Sequence, residues 1–93
     1  MELLSQPEVK SIIRTCLESG SVRFTKHATE ELLKDGLTSA DVVNVLRGGS
    51  VEPGEIVHGK ACRYRVRTAK IVVVIELEAG TQLVVVTAWR MKK

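Results

Sequence analysis

The first half of the chain has apolar residues at the three- and four-residue spacing that one face of a helix requires. The clearest set consists of Val9, Ile12, Ile13, Cys16 and Leu17. Ser5 and Glu8 have the spacing of a capping box, in which each side chain binds the backbone N–H of the other residue. With Pro7 in the first turn, these signals predict a helix that begins after Ser5 and ends at Gly20.

Two more helices are predicted before residue 50. Thr25 is of the residue type that begins helices, and the helix after it runs to Gly36. Thr38 and Asp41 repeat the capping-box spacing and open a third helix, which closes at Gly48. The N-terminal part is therefore predicted to be mainly helical.

After residue 49 the apolar pattern takes the two-residue period of strands. The predicted strands cover residues 55–58, 62–68, 70–77 and 82–89, and a short extended piece is predicted at residues 22–24. Links as short as those between the later strands join antiparallel neighbours. Residues 71–75 are apolar at every position, which predicts a central strand whose second face is at least partly covered.

Three helices followed by a meander predict an α+β domain. Two to three N-terminal helices pack on a C-terminal antiparallel β-sheet of about four to five strands. The 93 residues, 44% of them hydrophobic, suit a single domain, with a helical part at 1–49 and a sheet part at 50–93. No apolar run approaches the roughly 18 to 20 residues that span a bilayer, so we expect a cytoplasmic protein without membrane contact.

Charge is distributed unevenly along the chain. The formal net charge is +3, but residues 1–59 carry six basic and nine acidic side chains, whereas residues 60–93 carry eight basic and two acidic ones. The C-terminal third is therefore better suited to an anionic partner.

The predicted strand at 62–68 has an arginine at every second position. Arg63, Arg65 and Arg67 therefore share one face, with Tyr64 on the other. Alternate residues of a strand lie about 6.6 to 7 Å apart, close to the spacing of successive phosphates along a nucleic-acid strand, and guanidinium groups bind phosphate in a bidentate manner. We interpret this face as a phosphate-binding surface. The alternative is an ordinary solvated face of an antiparallel strand.

His27 is the second candidate for a functional role, because it opens a helix beside Lys26 and has acidic residues within one turn. Imidazole titrates near neutrality and can act as a general acid or base. The alternative is a histidine that caps or packs at a helix start. Lys60 and Arg90, at strand ends, add to the predicted basic surface, whereas Trp89 is expected in the core.

Other classes of site are not indicated. Cys16 and Cys62 are isolated among apolar neighbours, which favours buried free thiols over a disulfide or a metal site. The sequence has no Gly-rich phosphate loop and no serine-centred elbow. Three aromatic residues supply a base-stacking platform poorly. We therefore expect no metal and no cofactor.

The stretch FTKHATEELLKDGLTSADVVNVLRGG at residues 24–49, followed by V-E and an R-Y-R strand, resembles the domain-of-unknown-function family 4258. The likeness covers about residues 22–90. Families of this kind are grouped with the barnase, EndoU, colicin and RelE-like (BECR) fold, which includes the RelE and MqsR toxins, metal-independent ribonucleases of bacterial toxin–antitoxin modules. The resemblance implies a toxin-like endoribonuclease that acts on mRNA or ribosome-associated RNA and has a cognate antitoxin protein as partner.

Carried over residue by residue, the resemblance assigns the His-Ala pair of the family to His27 and Ala28. It implies catalytic roles for His27, Arg65 and Arg90, with the imidazole as general acid or base. Among the residues expected to bind substrate, the resemblance implies Arg63 and Thr87, whereas Lys26, Lys60, Tyr64 and Arg67 are expected from their charge or hydroxyl group and their place in the sequence.

Two positions depart from the family pattern. Glu31 and Asp35 stand where basic residues are often found, which raises the question of lost activity. They favour a second hypothesis, a non-catalytic RNA- or protein-binding module with the same fold. A third hypothesis is a homodimer formed through the strands that are apolar on both faces.

Overall fold

Capping residues begin the three helices at the positions that the sequence predicts. The computed structural model describes residues 2–59 and 61–91, without the side chain of Ala79, and its helices are α1 (Gln6–Glu18), α2 (Lys26–Lys34) and α3 (Ser39–Gly48). Ser5 and Thr38 each form both hydrogen bonds of a capping box, and the Thr25 side chain accepts a hydrogen bond from the N–H of Ala28. Of the helices in the described ranges, none has the length and apolar character needed to cross a membrane.

The described residues form one six-stranded sheet. Its strands are β1 (Ser21–Phe24), β2 (Ser50–Val51), β3 (Glu55–Val57), β4 (Ala61–Arg67), β5 (Ile71–Ala79) and β6 (Gln82–Arg90). The order is β1-β6-β5-β4-β2, with β3 also paired to β4. All pairs are antiparallel except β1 and β6, which are parallel.

The predicted α+β fold with helices on one face of a sheet is confirmed, and the sheet differs from the prediction in two respects. It has six strands rather than four to five, and it is mixed rather than antiparallel. The parallel pair arises because residues 22–24, predicted only as an extended piece, form β1 together with Ser21 and lie beside the last strand. The long connection between β1 and β6 gives the chain room for the crossover that parallel neighbours need.

The helices bury their apolar stripes against one face of the sheet. The core takes from the helices Val9, Ile13, Cys16, Ala28, Leu32, Val42, Val45 and Leu46, and from the sheet Tyr64, Val66, Val73, Ile75, Leu83, Val85 and Ala88. Tyr64 is only 2% exposed, and its hydroxyl accepts a hydrogen bond of 3.0 Å from the backbone N–H of Leu4. This bond ties the segment before α1 to the centre of the sheet.

The opposite face of the sheet, here called the open face, also contains buried valines. Val72, Val74 and Val84 are less than a tenth exposed, yet they lie outside the helix-packed cluster. Val72 is paired across the strands with Trp89, and Val74 with Arg65. Strand β5 is central, as predicted, and the long side chains of neighbouring strands cover its second face.

The carboxylates of the two capping boxes are stabilised in their ionised form. Hydrogen bonds from the backbone N–H and the side chain of Thr38 lower the pKa of Asp41, and those from Ser5 lower the pKa of Glu8. A carboxyl with a lowered pKa in the folded state contributes stability above its unfolded pKa and loses it as the pH falls through the folded value. Both caps therefore weaken below about pH 4.

We expect Thr38→Ala to lower the free energy of unfolding by about 1 kcal/mol at neutral pH. The N–H of Asp41 would lose its acceptor, the Thr38 hydroxyl oxygen 3.2 Å away. Urea unfolding measures the change, and Ser39→Ala, at the neighbouring exposed position, is the control, with little expected effect. If Thr38→Ala and the wild type have the same unfolding midpoint, the cap does not contribute as proposed.

Candidate nucleic-acid interface

Strand β4 places its three arginines, here called the arginine row, together on the open face. Arg63, Arg65 and Arg67 alternate with Tyr64 and Val66, which are buried in the helix-packed core. The face that the sequence predicts for the arginines is therefore confirmed. The strand pattern alone did not reveal which residues of β5 and β6 lie beside these arginines.

Two of these arginines are paired with carboxylates. Arg63 Nε lies 2.6 Å from Glu76 Oε2, and Arg67 Nη1 lies 3.6 Å from Glu52 Oε2. The antiparallel register sets Glu76 of β5 directly opposite Arg63. At the other side of the sheet, Arg23 is similarly paired with Glu78 at 3.1 Å. The basic character of the open face is therefore partly neutralised at both ends.

Arg65, at the middle of the row, has a different partner. Its guanidinium carbon lies over the ring of Trp89, 5.8 Å from the ring centroid, which is within the range of a cation–π contact. Within the described ranges, Arg65 forms no ion pair with a carboxylate. Its side chain is exposed and borders a pocket of about 330 Å³ that is also lined by Glu52, Glu55, Arg63 and Val74. Arg65 is thus the arginine of β4 whose charge is most available to an anion.

His27 lies in the first turn of α2, with its side chain 62% exposed. Its Nε2 is 3.7 Å from Oε1 of Glu31, one turn later, and the same oxygen is 3.8 Å from Nζ of Lys34. Lys26 precedes it and is also exposed. The contact with Glu31 gives the imidazole a carboxylate partner on its own helix rather than a contact with the arginines of β4.

A groove runs between α2 and the end of β6. It has a volume of about 420 Å³ and is lined by Glu31, Asp35, Trp89, Arg90 and Met91; we call it the α2 groove. Helix α2 packs against β6, and Trp89 of that strand lines this groove and also contacts Arg65. Trp89 therefore borders both the groove that contains Glu31 and the arginine row.

Arg90 does not join the arginine row, contrary to the predicted cluster. Its backbone N–H donates to Oδ2 of Asp35 at 2.7 Å, and its Nε and Nη2 donate to the carbonyl oxygens of Asp35 and Gly36 at 3.2 and 3.3 Å. These bonds satisfy carbonyl groups at the end of α2, where a cation is favourable. Strand alternation directs Arg90 to the helix side and Trp89 to the open face.

Two other sequence predictions need correction. Tyr64, predicted among the substrate-binding residues, is buried on the helix side and therefore lies away from Arg63 and Arg65. Trp89, expected in the core, is half-buried on the open face. Both differences follow from the two-residue period of a strand. Tyr64 faces away from its neighbours Arg63 and Arg65, and Trp89 faces away from Ala88, which is buried in the helix-packed core.

Thr87 lies on the open face, where the register places it opposite Val74 and in line with Arg65. Lys60, another predicted substrate contact, lies outside the described residues. The structure therefore brings together Arg63, Arg65, Arg67, Thr87 and Trp89 on one surface, with His27 and Lys26 on the neighbouring helix.

The cysteines are both free. Cys16 is buried in the core, and burial raises the pKa of its thiol, whereas Cys62 is half-buried. The described part of the chain contains no group of three His, Cys, Asp or Glu side chains placed to hold a metal ion.

Comparison with known proteins gives one match. Residues 24–90 match the model of a protein family described as Domain of unknown function (DUF4258). No curated protein and no solved structure matches the chain.

Proposed function

The chain belongs to the DUF4258 family, and from this premise we propose that it binds RNA through the open face of its sheet. The observation that carries the proposal is Arg65, an exposed guanidinium in the middle of an arginine row and without a carboxylate partner among the described residues. Guanidinium groups bind phosphate through two parallel hydrogen bonds, and this geometry is favourable for a nucleic-acid backbone.

The flanking arginines have a secondary role in this proposal. Arg63 and Arg67 are held by Glu76 and Glu52, so a phosphate that approaches them must compete with a carboxylate. RNA affinity then depends mainly on one phosphate contact at Arg65, with weaker help on each side. We therefore expect a shallow dependence of affinity on salt rather than the steep one of an uncompensated basic strip.

Binding is tested by Arg65→Ala, with fluorescence anisotropy of a labelled single-stranded RNA whose 2′-hydroxyls are methylated so that it is not cleaved. We expect the affinity to fall about tenfold or more, and the slope of log affinity against log salt to become shallower by about 0.7. Arg14→Ala, which removes an exposed arginine from α1, is the matched control and should bind like the wild type. Wild-type affinity in Arg65→Ala would reject the open face as the RNA site.

We further propose that the bound RNA is cleaved without a metal ion. The observation that favours cleavage is the position of Glu31, whose carboxylate oxygen lies 3.7 Å from Nε2 of His27, because a neighbouring carboxylate orients an imidazole for proton transfer. In the proposed reaction His27 takes the proton from the 2′-OH, the 2′-oxygen bonds to phosphorus, and the bond to the 5′-oxygen breaks. The leaving 5′-oxygen takes up a proton from solvent water, and Arg65 stabilises the charge on the phosphorane.

Such a reaction would make the domain a toxin-like endoribonuclease, paired in the cell with an antitoxin protein that blocks it. The competing proposal is a non-catalytic module that binds RNA or a protein with the same fold. It is favoured by the position of Arg90, whose bonds to the end of α2 hold it away from the arginine row. Incubation of wild-type protein with RNA in EDTA separates the two, because only the nuclease shortens the RNA.

A further inference from the structure

Packing in the hydrophobic core does not explain the position of Trp89. It lies on the open face, half-buried, between the guanidinium of Arg65 and the α2 groove. It is also the only tryptophan of the chain. From this position we infer that Trp89 stacks one unpaired nucleobase in the α2 groove while Arg65 binds a phosphate of the same RNA. This inference rests on the proposed RNA binding and names the form of RNA that the site takes.

The contact between Arg65 and Trp89 supports a combined site. The guanidinium of Arg65, which is the proposed phosphate-binding group, lies 5.8 Å from the centroid of the Trp89 ring. Cross-strand pairing with Val72 fixes the backbone of Trp89 in the sheet. The aromatic ring and the cation are therefore preorganised next to each other, which reduces the entropy that a nucleotide must lose on binding.

The charges of the α2 groove decide which part of a nucleotide it accepts. Glu31 and Asp35 present carboxylates there: Oε1 of Glu31 lies 3.7 Å from His27 and 3.8 Å from Lys34, and Asp35 accepts a hydrogen bond from the backbone N–H of Arg90. Arg90 also lines the groove, but its guanidinium donates to the carbonyl oxygens of Asp35 and Gly36. Carboxylates repel a phosphate but accept hydrogen bonds from the N–H groups of a base. The base therefore enters the groove, and the phosphate stays on the Arg65 side of Trp89.

The shape of the groove bears on which bases can reach it. It is an open surface depression with a volume of about 420 Å³, whereas a base that is paired in a duplex stays within its own stack and does not enter such a depression. Aromatic stacking of this kind is a property of single-stranded RNA, whose bases are free to leave the helix. The site therefore favours single-stranded over duplex RNA.

The test compares two probes of equal length, an oligouridine and an abasic ribose–phosphate oligomer, both with 2′-O-methyl groups so that neither is cleaved, and affinity is measured by anisotropy. We expect the wild type to bind the oligouridine about 5- to 100-fold more tightly than the abasic probe. Oligouridine should also quench the fluorescence of Trp89, the single indole in the protein, and the abasic probe should leave it unchanged. Trp89→Leu should bind both probes with the affinity that the wild type has for the abasic one.

Trp89→Phe keeps an aromatic ring and should retain most of the preference for oligouridine, which also guards against a folding defect in Trp89→Leu. Equal affinity of the wild type for both probes would overturn the stacking role while leaving RNA binding at Arg65 intact. If Trp89→Leu lowers the affinity for both probes equally, the ring only supports Arg65, and the stacking role is likewise overturned. Failure of the wild type to bind either probe would reject both proposals.

Discussion

Replacement of His27 by alanine is expected to slow RNA cleavage about 100- to 10,000-fold and to leave RNA affinity unchanged. In the proposed reaction the imidazole of His27 transfers the proton. RNA binding depends instead on Arg65, which lies beside Trp89. Because the side chain of His27 is 62% exposed and outside the core, its removal should not disturb the fold. The measurement is the initial rate of cleavage of a labelled RNA in EDTA, together with anisotropy on an RNA that carries a 2′-O-methyl group at the cleaved position.

The second histidine of the chain provides the control. His58 is exposed and has a positive φ of 55°, so His58→Asn is the suitable change because asparagine tolerates that backbone conformation. It should cleave and bind like the wild type. Cleavage at the wild-type rate by His27→Ala would remove the imidazole from the mechanism. If the wild type binds RNA without cutting it, the binding module is the correct proposal.

The helices were predictable because their signals are local. Ser5 with Glu8, and Thr38 with Asp41, form capping boxes between residues three positions apart. A hydrogen bond over that distance in sequence needs no tertiary contact, so the residue pattern alone determines where the helix begins. The face of each helix that enters the core follows from the same spacing.

The parallel edge of the sheet was not predictable in this way. Strand β1 is four residues long, and its partner β6 lies far along the chain. Short strands carry little pattern, and nothing within residues 21–24 identifies the segment with which they pair. The number of strands and the mixed character of the sheet were therefore beyond the local signals.

At the candidate site, too, the local sequence pattern predicts one part of the arrangement, and long-range strand pairing determines the rest. Alternation within β4 was sufficient to place Arg63, Arg65 and Arg67 on one face, but their partners depend on the pairing between strands. The register that sets Arg67 opposite Val72 also sets Arg63 opposite Glu76. The short link between the two strands was the signal that could have revealed this pair, because a short link restricts the register.

The uneven charge along the chain is also altered by folding. The basic last third supplies the arginine row, yet Glu52 from the acidic first part and Glu76 from β5 neutralise two of its members. What remains is not a broad basic strip but one available guanidinium beside an indole. A partner with one well-placed phosphate and one free base therefore suits the site better than a long duplex backbone.

The junction between α1 and β1 depends on a close approach of two backbone segments. Gly20 lies between these elements, and a Cβ atom at this position would overlap the carbonyl oxygen of Thr81, just before β6. The same oxygen accepts the hydrogen bond of 2.9 Å from the N–H of Ser21, which is next to the parallel pair of β1 and β6. Because the clashing atom belongs to the backbone, no side-chain rotation relieves it.

We expect Gly20→Ala to lower the free energy of unfolding by about 3 kcal/mol, at the upper end of the usual cost of overpacking. The added methyl group must separate α1 from the turn before β6, and it would weaken the only parallel pairing in the described sheet. Gly48→Ala is the matched control, since a Cβ at that last position of α3 has open space around it. This change should leave stability unchanged or raise it by up to about 1 kcal/mol, because alanine favours a helix. Urea unfolding of both variants measures the difference, and equal midpoints for Gly20→Ala and the wild type would show that the two backbones are not in contact.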